Sequence, residues 1–403
     1  MTYRTIRLLL LLATVLLLNA CSDDPSPEGQ RVSAEVMSCS TGFEEIADRM
    51  GTRAWTPPSN YYLYSHIFGP NGMFANQKDL ANKSIKAFFT QGTQDVQERV
   101  FYYRETDESN WHMNTELEDV SSSPYQLYGY IPVEDAEGAN ISPLSGNYSN
   151  GAILTINGLS TITPSDVCVI IGAKDGSAED DDTGSSDDIR VAPGNFDVKF
   201  NTGDNASNYI FLLFDHIYSS LRFRFTVDAT YYALRRIRLT KLDLIAYADE
   251  SGGGVKAKYD ATITLRKNET GTSPIVGSID FTPIGNANVD FTPLYEWNGA
   301  VNTQEHPDNE VILSPDTPTN FMGSFVPGVN TYFKLRSTYD VFDIHGNLIR
   351  KECQAENTID LRKKFEISGT MNGHCYSYTI KVQPTYLYIL SEPDVDNPTV
   401  VVN

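Results

Sequence analysis

The chain has few of the residues that would build a disulfide framework, a zinc knuckle or a nucleic-acid surface. Its 403 residues include five cysteines, and no two of them form a C-x-x-C pair, so neither a disulfide framework nor a zinc knuckle is indicated. Lysine and arginine number 31 against 52 aspartate and glutamate residues, which gives a formal net charge of -21. A surface of that sign repels the phosphate backbone. The composition therefore argues against a nucleic-acid partner and predicts no metal site.

Catalytic motifs are missing as well. The six histidines are widely spread, and the sequence has no H-E-x-x-H, no G-x-S-x-G and no glycine-rich phosphate loop. We therefore predict no catalytic residue and no cofactor, and we expect a structural or binding protein, not an enzyme. Beyond residue 21 the longest apolar run is 209–214, which is too short to predict a membrane-spanning helix.

What is present at the start of the chain is a sorting signal. Arg4 and Arg7 precede an apolar run at 8–18, and small Ala20 precedes Cys21. A charged segment, a short apolar segment and a small residue are typical of a secretory signal peptide. The cysteine at its end resembles the lipobox of bacterial lipoproteins. We predict removal of residues 1–20 and lipidation of Cys21, with an ordinary secretory signal as the alternative.

The rest of the chain favours strands. Tyrosine and phenylalanine number 23 and 19 against three tryptophans, a composition typical of β structure. Apolar and polar residues alternate at 32–36, 221–227, 237–244 and 376–382, and a turn at 345–347 separates two further alternating stretches. Helical patterns are few, at 77–89 and 217–221. We predict a mainly β fold with two β-sandwich domains in tandem.

An acidic segment separates the two predicted domains. Residues 174–188 contain Asp180, Asp181 and Asp182 among glycines and serines, a composition that cannot bury apolar surface. The spacing of the acids does not match an EF-hand loop, so a solvated linker is favoured over a calcium site. The predicted domains span 54–175 and 190–403.

Five segments in order resemble the fimbrillin family, the two-domain lipoproteins with transthyretin-like sandwiches that build donor-strand pili on some outer membranes. The matching segments are 51–54, 125–132, 165–173, 214–223 and 373–380. They include a Thr-Arg-Ala sequence at 52–54 and a Phe-x-His sequence that ends at His216. The resemblance covers most of the chain after Cys21, although each motif is short.

The resemblance implies a maturation step and a mode of assembly. An Arg-specific surface protease would cut after Arg53, or alternatively after Arg49, and remove residues 21–53 together with the strand at 32–36. A strand from another pilus subunit would then repair the exposed edge. The C-terminal tail is the predicted donor, through Tyr386, Tyr388, Val400 and Val402. The lipid would hold only the precursor in the outer membrane, and the mature subunit would belong to a fimbrium at the cell surface.

Several alternatives remain open at this point. A basal pilus anchor would keep the lipid and the N-terminal strand, a glycan-binding surface lipoprotein would use aromatic platforms, and a surface hydrolase would need an acid pair in a cleft. The adhesive ligand, on a host or on a bacterial surface, is not predicted. We expect Tyr128 and Tyr130 to be core and sheet-face residues and not a sugar platform, and His216 to be a buried, hydrogen-bonded strand histidine and not a ligand. We also expect Cys39 to be reduced, because a bridge from Cys39 to Cys168 would tether the strand that must leave.

Overall fold

A computed structural model of the protein describes residues 30–38, 44–46, 63–64, 84–92, 96–104, 110–115, 124–131, 136–176, 191–199, 209–268, 275–297, 311–328, 332–364 and 372–382. Most of these residues lie in strands, so the prediction of a mainly β fold is confirmed. The strands up to the acidic segment are β1 (Gln30–Ser38), β2 (Glu44–Ile46), β3 (Leu63–Tyr64), β4 (Ser84–Thr90), β5 (Gln97–Arg104), β6 (Asn110–Thr115), β7 (Tyr125–Ile131), β8 (Gly138–Pro143), β9 (Gly151–Ser160), β10 (Ile162–Thr163) and β11 (Cys168–Gly176). The strands after it are β12 (Asp197–Val198), β13 (Tyr209–His216), β14 (Ser219–Val227), β15 (Arg235–Tyr247), β16 (Lys256–Arg266), β17 (Val276–Asn288), β18 (Thr292–Glu296), β19 (Val311–Ile312), β20 (Thr319–Phe325), β21 (Tyr332–Asp343), β22 (Leu348–Asp360) and β23 (His374–Val382).

Helical structure is confined to short segments in the described part of the chain. It comprises two 3-10 turns, Leu144–Gly146 and Tyr148–Asn150, and two single-turn helices, Ala229–Tyr232 and Leu361–Lys364. None of the helices in the ranges given above is long and apolar enough to cross a membrane.

Alternation of side chains explains most of the strands. In β14 every second residue from Leu221 to Val227 is buried, because successive side chains of a strand point to opposite faces. The segments predicted at 32–36, 237–244 and 376–382 lie in β1, β15 and β23, so these strand predictions are confirmed.

The predicted hairpin is also present, between β21 and β22. Its turn is built by the Asp343 carboxylate, whose Oδ1 accepts hydrogen bonds from the backbone N–H groups of His345 and Asn347, both at 2.8 Å. Gly346 has φ 84°, a left-handed conformation that glycine adopts without strain.

The helical interpretation of 77–89 is wrong over the part that the structure describes. Residues 84–90 form β4, which pairs with β5 on one side and with β7 on the other. The aromatic side chains of Phe88 and Phe89 are both buried, on opposite faces of the strand. Tertiary pairing with two neighbours therefore outweighs the weak helical periodicity. The second helical interpretation, at 217–221, is wrong from Ser219 onward, where β14 begins.

The first sheet contains the N-terminal strand as an internal member. Its strand order is β11-β13-β1-β6-β5-β4-β7-β12, with β3 paired to β1, and an additional pairing of β11 with β7 closes the path on itself. Buried side chains inside this closed path form a core of their own, which includes Phe89, Phe101, Leu127, Leu212 and Phe214. Closure removes the free edges that a flat sheet would expose.

The second and third sheets face each other across an aromatic core. The second sheet has the order β10-β20-β14-β23-β2, and the third has the order β18-β15-β21-β22 with β19 paired to β15. Phe325 of β20 and Phe333 of β21 meet edge to face with ring centroids 4.8 Å apart, a geometry that aromatic pairs favour. Two sheets that bury their inner faces in this way form a sandwich.

The fourth sheet joins strands from both of the predicted domain ranges. Its order is β17-β16-β9-β8, and the central pairing of β9 with β16 connects residues 151–160 with residues 258–266. A second connection of this kind is made by β13, which follows the acidic segment in sequence but pairs with β11 and β1 of the first sheet. The sheets are therefore assembled from strands that are distant in sequence.

Two leucines provide a matched test of these core assignments. Leu212 of β13 is fully buried within the closed first sheet, whereas Leu348 of β22 is 50% exposed. We expect Leu212→Ala to lower the free energy of unfolding by about 2–5 kcal/mol, because it removes buried methyl groups and leaves a cavity. Leu348→Ala should change it by less than about 0.5 kcal/mol. Urea denaturation of both variants tests this difference, and equal losses would contradict the core assignment.

Candidate strand-exchange site

The residues predicted to carry maturation and assembly lie outside the described part of the chain. These are Cys21, Arg49, Arg53, Tyr386, Tyr388, Val400 and Val402, together with Cys39 and the acidic residues of the linker. The structure describes the N-terminal strands β1 and β2, and β23, which precedes the tail in the sequence. The candidate site is therefore built from β1, β2 and their partners.

The N-terminal strand β1 is paired along both of its edges. Residues 33–38 run parallel to residues 209–214 of β13, and residues 30–34 run antiparallel to residues 111–115 of β6. At its far end, Met37 and Ser38 also pair with β3. An internal strand satisfies the backbone N–H and C=O groups of two neighbours at once, so its removal would leave two unpaired edges.

The partner strand β13 is buried on both faces. Ile210, Leu212 and Phe214 point into the core inside the first sheet, whereas Phe211 and Leu213 point into the large core shared with the other sheets. All five side chains are 0–1% exposed. A continuous apolar run is expected of a strand that is covered on both sides. The edge that β1 covers therefore belongs to one of the most completely buried strands of the described chain.

The second N-terminal strand, β2, belongs to a different sheet. Residues 44–46 run parallel to residues 374–376 of β23 and form the end of the second sheet. Only five residues, 39–43, separate β1 from β2. The segment that precedes Arg49 and Arg53 therefore contributes one strand to the first sheet and one strand to the second.

Strand β23 ends at Val382, next to contacts made by Asp228. The Asp228 carboxylate lies 3.3 Å from Nζ of Lys381 and also accepts a hydrogen bond of 2.9 Å from the backbone N–H of Thr230. The hydrogen bond from Lys381, together with backbone hydrogen bonds from Thr230 and Tyr231, lowers the pKa of Asp228 below its ordinary value. The backbone N–H of Asp228 donates to the carbonyl of Val382 at 2.8 Å. These contacts hold the end of β23, at Lys381 and Val382, against the segment around Asp228.

Tyr128 and Tyr130 are core residues, as the sequence predicts. They are 0% and 1% exposed, and the hydroxyl of Tyr128 donates a hydrogen bond of 2.6 Å to the carbonyl of Tyr148. Burial raises the pKa of Tyr130 to about 12. A sugar platform needs an exposed aromatic face, so these two tyrosines do not provide one.

Sequence reasoning missed two features of this region. The pairing of β2 with β23 was not predicted, because three residues carry too short an alternation to predict a strand. The buried partner of His216, Asp166, was also missed, because 50 residues separate the two. The burial of His216, at 3% exposure, is confirmed.

Comparison with solved structures finds matches of low sequence identity. It is similar to a candidate cell adhesion protein from Bacteroides uniformis, with 12% identity and a TM-score of 0.39 over 89% of this chain and 94% of the other. It is also similar to a fimbrial protein from Bacteroides vulgatus, with 11% identity and a TM-score of 0.30 over 75% and 89% of the two chains. No protein-family model matches the chain, and no curated protein matches it.

Proposed function

We propose that this chain is a structural subunit of a surface pilus, exported as a lipoprotein precursor and polymerised by donor-strand exchange after proteolysis. The observation that carries the proposal is the internal position of β1, which is paired along both edges. In this role the chain performs no catalysis, needs no cofactor and contributes to adhesion as part of the fibre.

Loss of β1 would create a strong acceptor for another strand. It would unpair six positions of β13 and five positions of β6, and it would open the closed path of the first sheet beside Leu212 and Phe214. Buried backbone groups without partners cost about 1–3 kcal/mol each. An incoming strand restores these hydrogen bonds and covers the apolar interior, as in other cases of strand addition.

The position of the two candidate cleavage sites fits this mechanism. Arg49 and Arg53 lie after β2 and before β3 in the sequence. A cut at either arginine would disconnect β1 and β2 together from the remaining chain. The lipid on Cys21 would leave with the same segment, so export and polymerisation would be separated in time by one proteolytic event.

The tail has the length and pattern that a donor requires. Residues 383–403 follow β23; Tyr386 and Tyr388 lie in an apolar run at 386–390, and Val400 and Val402 lie in a second one at 400–402. A strand as long as β1, nine residues, spans about 30 Å at 3.3 Å per residue. The tail is long enough to provide such a strand and still retain a connecting segment.

The cleavage step is tested by N-terminal sequencing of protein extracted from the cell surface. We expect the mature chain to begin at Ala54. Arg53→Ala should prevent processing and polymer formation, and Arg53→Lys should do the same, because an Arg-specific protease distinguishes the guanidinium from the ammonium group. Arg49→Ala serves as the matched control and should be processed normally.

Two other N-termini would lead to different conclusions about the cleavage step. A chain that begins at Met50 would move the cut to Arg49 and leave the mechanism intact. A chain that still begins at lipidated Cys21 while fibres are present would contradict the subunit proposal and favour a basal anchor.

The donor role of the tail is tested by deletion and by point variants. We expect a chain without residues 391–403 to fold and to be processed but to form no polymers, measured as the ladder of species on unheated gels. Val400→Pro should have the same effect, because proline removes a ladder N–H group, whereas Val400→Thr should polymerise. Polymers that persist after the deletion would refute the donor assignment.

A further inference from the structure

Three side chains of different chemistry meet in the interior of the first sheet. Asp166 lies between β10 and β11, Cys168 is the first residue of β11, and His216 is the last residue of β13. Cys168 and His216 are direct partners in the antiparallel ladder. The three residues, named here the buried triad, are 0%, 1% and 3% exposed.

The ligating atoms of the buried triad converge on one point. The Cys168 Sγ lies 3.1 Å from Oδ2 of Asp166 and 3.3 Å from Nδ1 of His216, and Nδ1 of His216 is hydrogen-bonded to the same Oδ2. All three atoms therefore lie within 4.8 Å of one another. The other carboxylate oxygen, Oδ1 of Asp166, is buried and has no hydrogen-bond partner among the described residues.

From this geometry we propose that the buried triad is a site for a zinc ion, bound by the Cys168 thiolate, His216 Nδ1 and the Asp166 carboxylate. The inference does not depend on the pilus function. The sequence predicts no metal site, because the three ligands follow no known metal-binding spacing and only the fold brings them together.

The donor set selects the metal. Sulfur, imidazole nitrogen and carboxylate oxygen together suit zinc, whereas calcium and magnesium take oxygen ligands only. With zinc–ligand bonds of about 2.0–2.3 Å in a tetrahedral site, the ligand atoms lie about 3.3–3.6 Å apart. Of the two distances from Sγ, 3.3 Å is at the lower end of this range and 3.1 Å is slightly below it. Small displacements, with the carboxylate moving away from the imidazole, would make room for the ion.

A metal would also compensate charges that are costly to bury. A carboxylate and a thiolate without solvent each carry a large desolvation cost, which a divalent cation offsets. Oδ1 of Asp166 could complete the coordination as a second carboxylate oxygen. The ion would join β11, β13 and the segment that leads from β10, and it would thus fix the end of the strand that borders β1.

Cobalt binding to the full chain provides the test. After removal of metals with a chelator, titration with Co²⁺ should produce thiolate-to-metal charge-transfer absorption that saturates at one equivalent, and Zn²⁺ should abolish it by displacement. Cys168→Ser should eliminate the absorption and weaken zinc binding by more than about 100-fold, since even second-shell partners contribute 10- to 100-fold. Zinc should raise the Tm of the parent chain but not of Cys168→Ser.

Two other cysteines serve as matched controls. Cys375→Ser removes a second buried sulfur, and Cys353→Ser removes a partly buried one on β22; both variants should retain the full absorption. If Cys168→Ser does not fold, X-ray absorption spectroscopy at the zinc edge of the zinc-loaded parent chain tests the site instead. We expect one sulfur and one imidazole among the zinc ligands. The proposal would be overturned by a zinc coordination shell without sulfur, by the absence of a charge-transfer band with Co²⁺, or by the same band in Cys168→Ser.

Discussion

The pairing of β1 on both of its edges is the constraint on which the first sheet depends. With β1 in place, the strand path from β11 through β13, β1, β6, β5, β4 and β7 returns to β11, so these strands have few free edges. Without it, among the strands that the structure describes, β13 keeps only β11 as a neighbour and β6 keeps only β5. Because a closed sheet encloses its own apolar interior, one strand controls both the backbone pairing and the burial of that core.

The proximity of β1 and β2 in sequence couples two parts of the fold. The five residues 39–43 connect a strand of the first sheet with a strand of the second. Loss of the N-terminal segment would therefore uncover β13 in one sheet and the beginning of β23 in the other. The tail starts at the opposite end of β23, after Val382. The strand that would gain a free edge is thus the same strand that carries the proposed donor.

The predictability of each feature follows from the range of the interaction that creates it. The alternation of apolar and polar residues within one strand, as in β14 and β15, is a local pattern, so the sequence predicts these strands. The pairing of β9 with β16 depends on register between strands about 100 residues apart, and no local pattern specifies it. The buried triad has the same origin, because Asp166 and His216 meet only when β11 pairs with β13. The helical periodicity of the segment that forms β4 led to a wrong prediction, because pairing with β5 and β7 stabilises a strand there.

The backbone around β1 does not by itself select the direction of a replacing strand. β1 is parallel to β13 and antiparallel to β6, so a strand entering in reverse would be antiparallel to β13 and parallel to β6. Either direction forms one parallel and one antiparallel ladder, and parallel pairing is only slightly weaker per residue. The choice must therefore come from side chains. A slip of one residue exchanges the two faces of a strand, so the fit of alternating apolar side chains against Leu212 and Phe214 would set both direction and register.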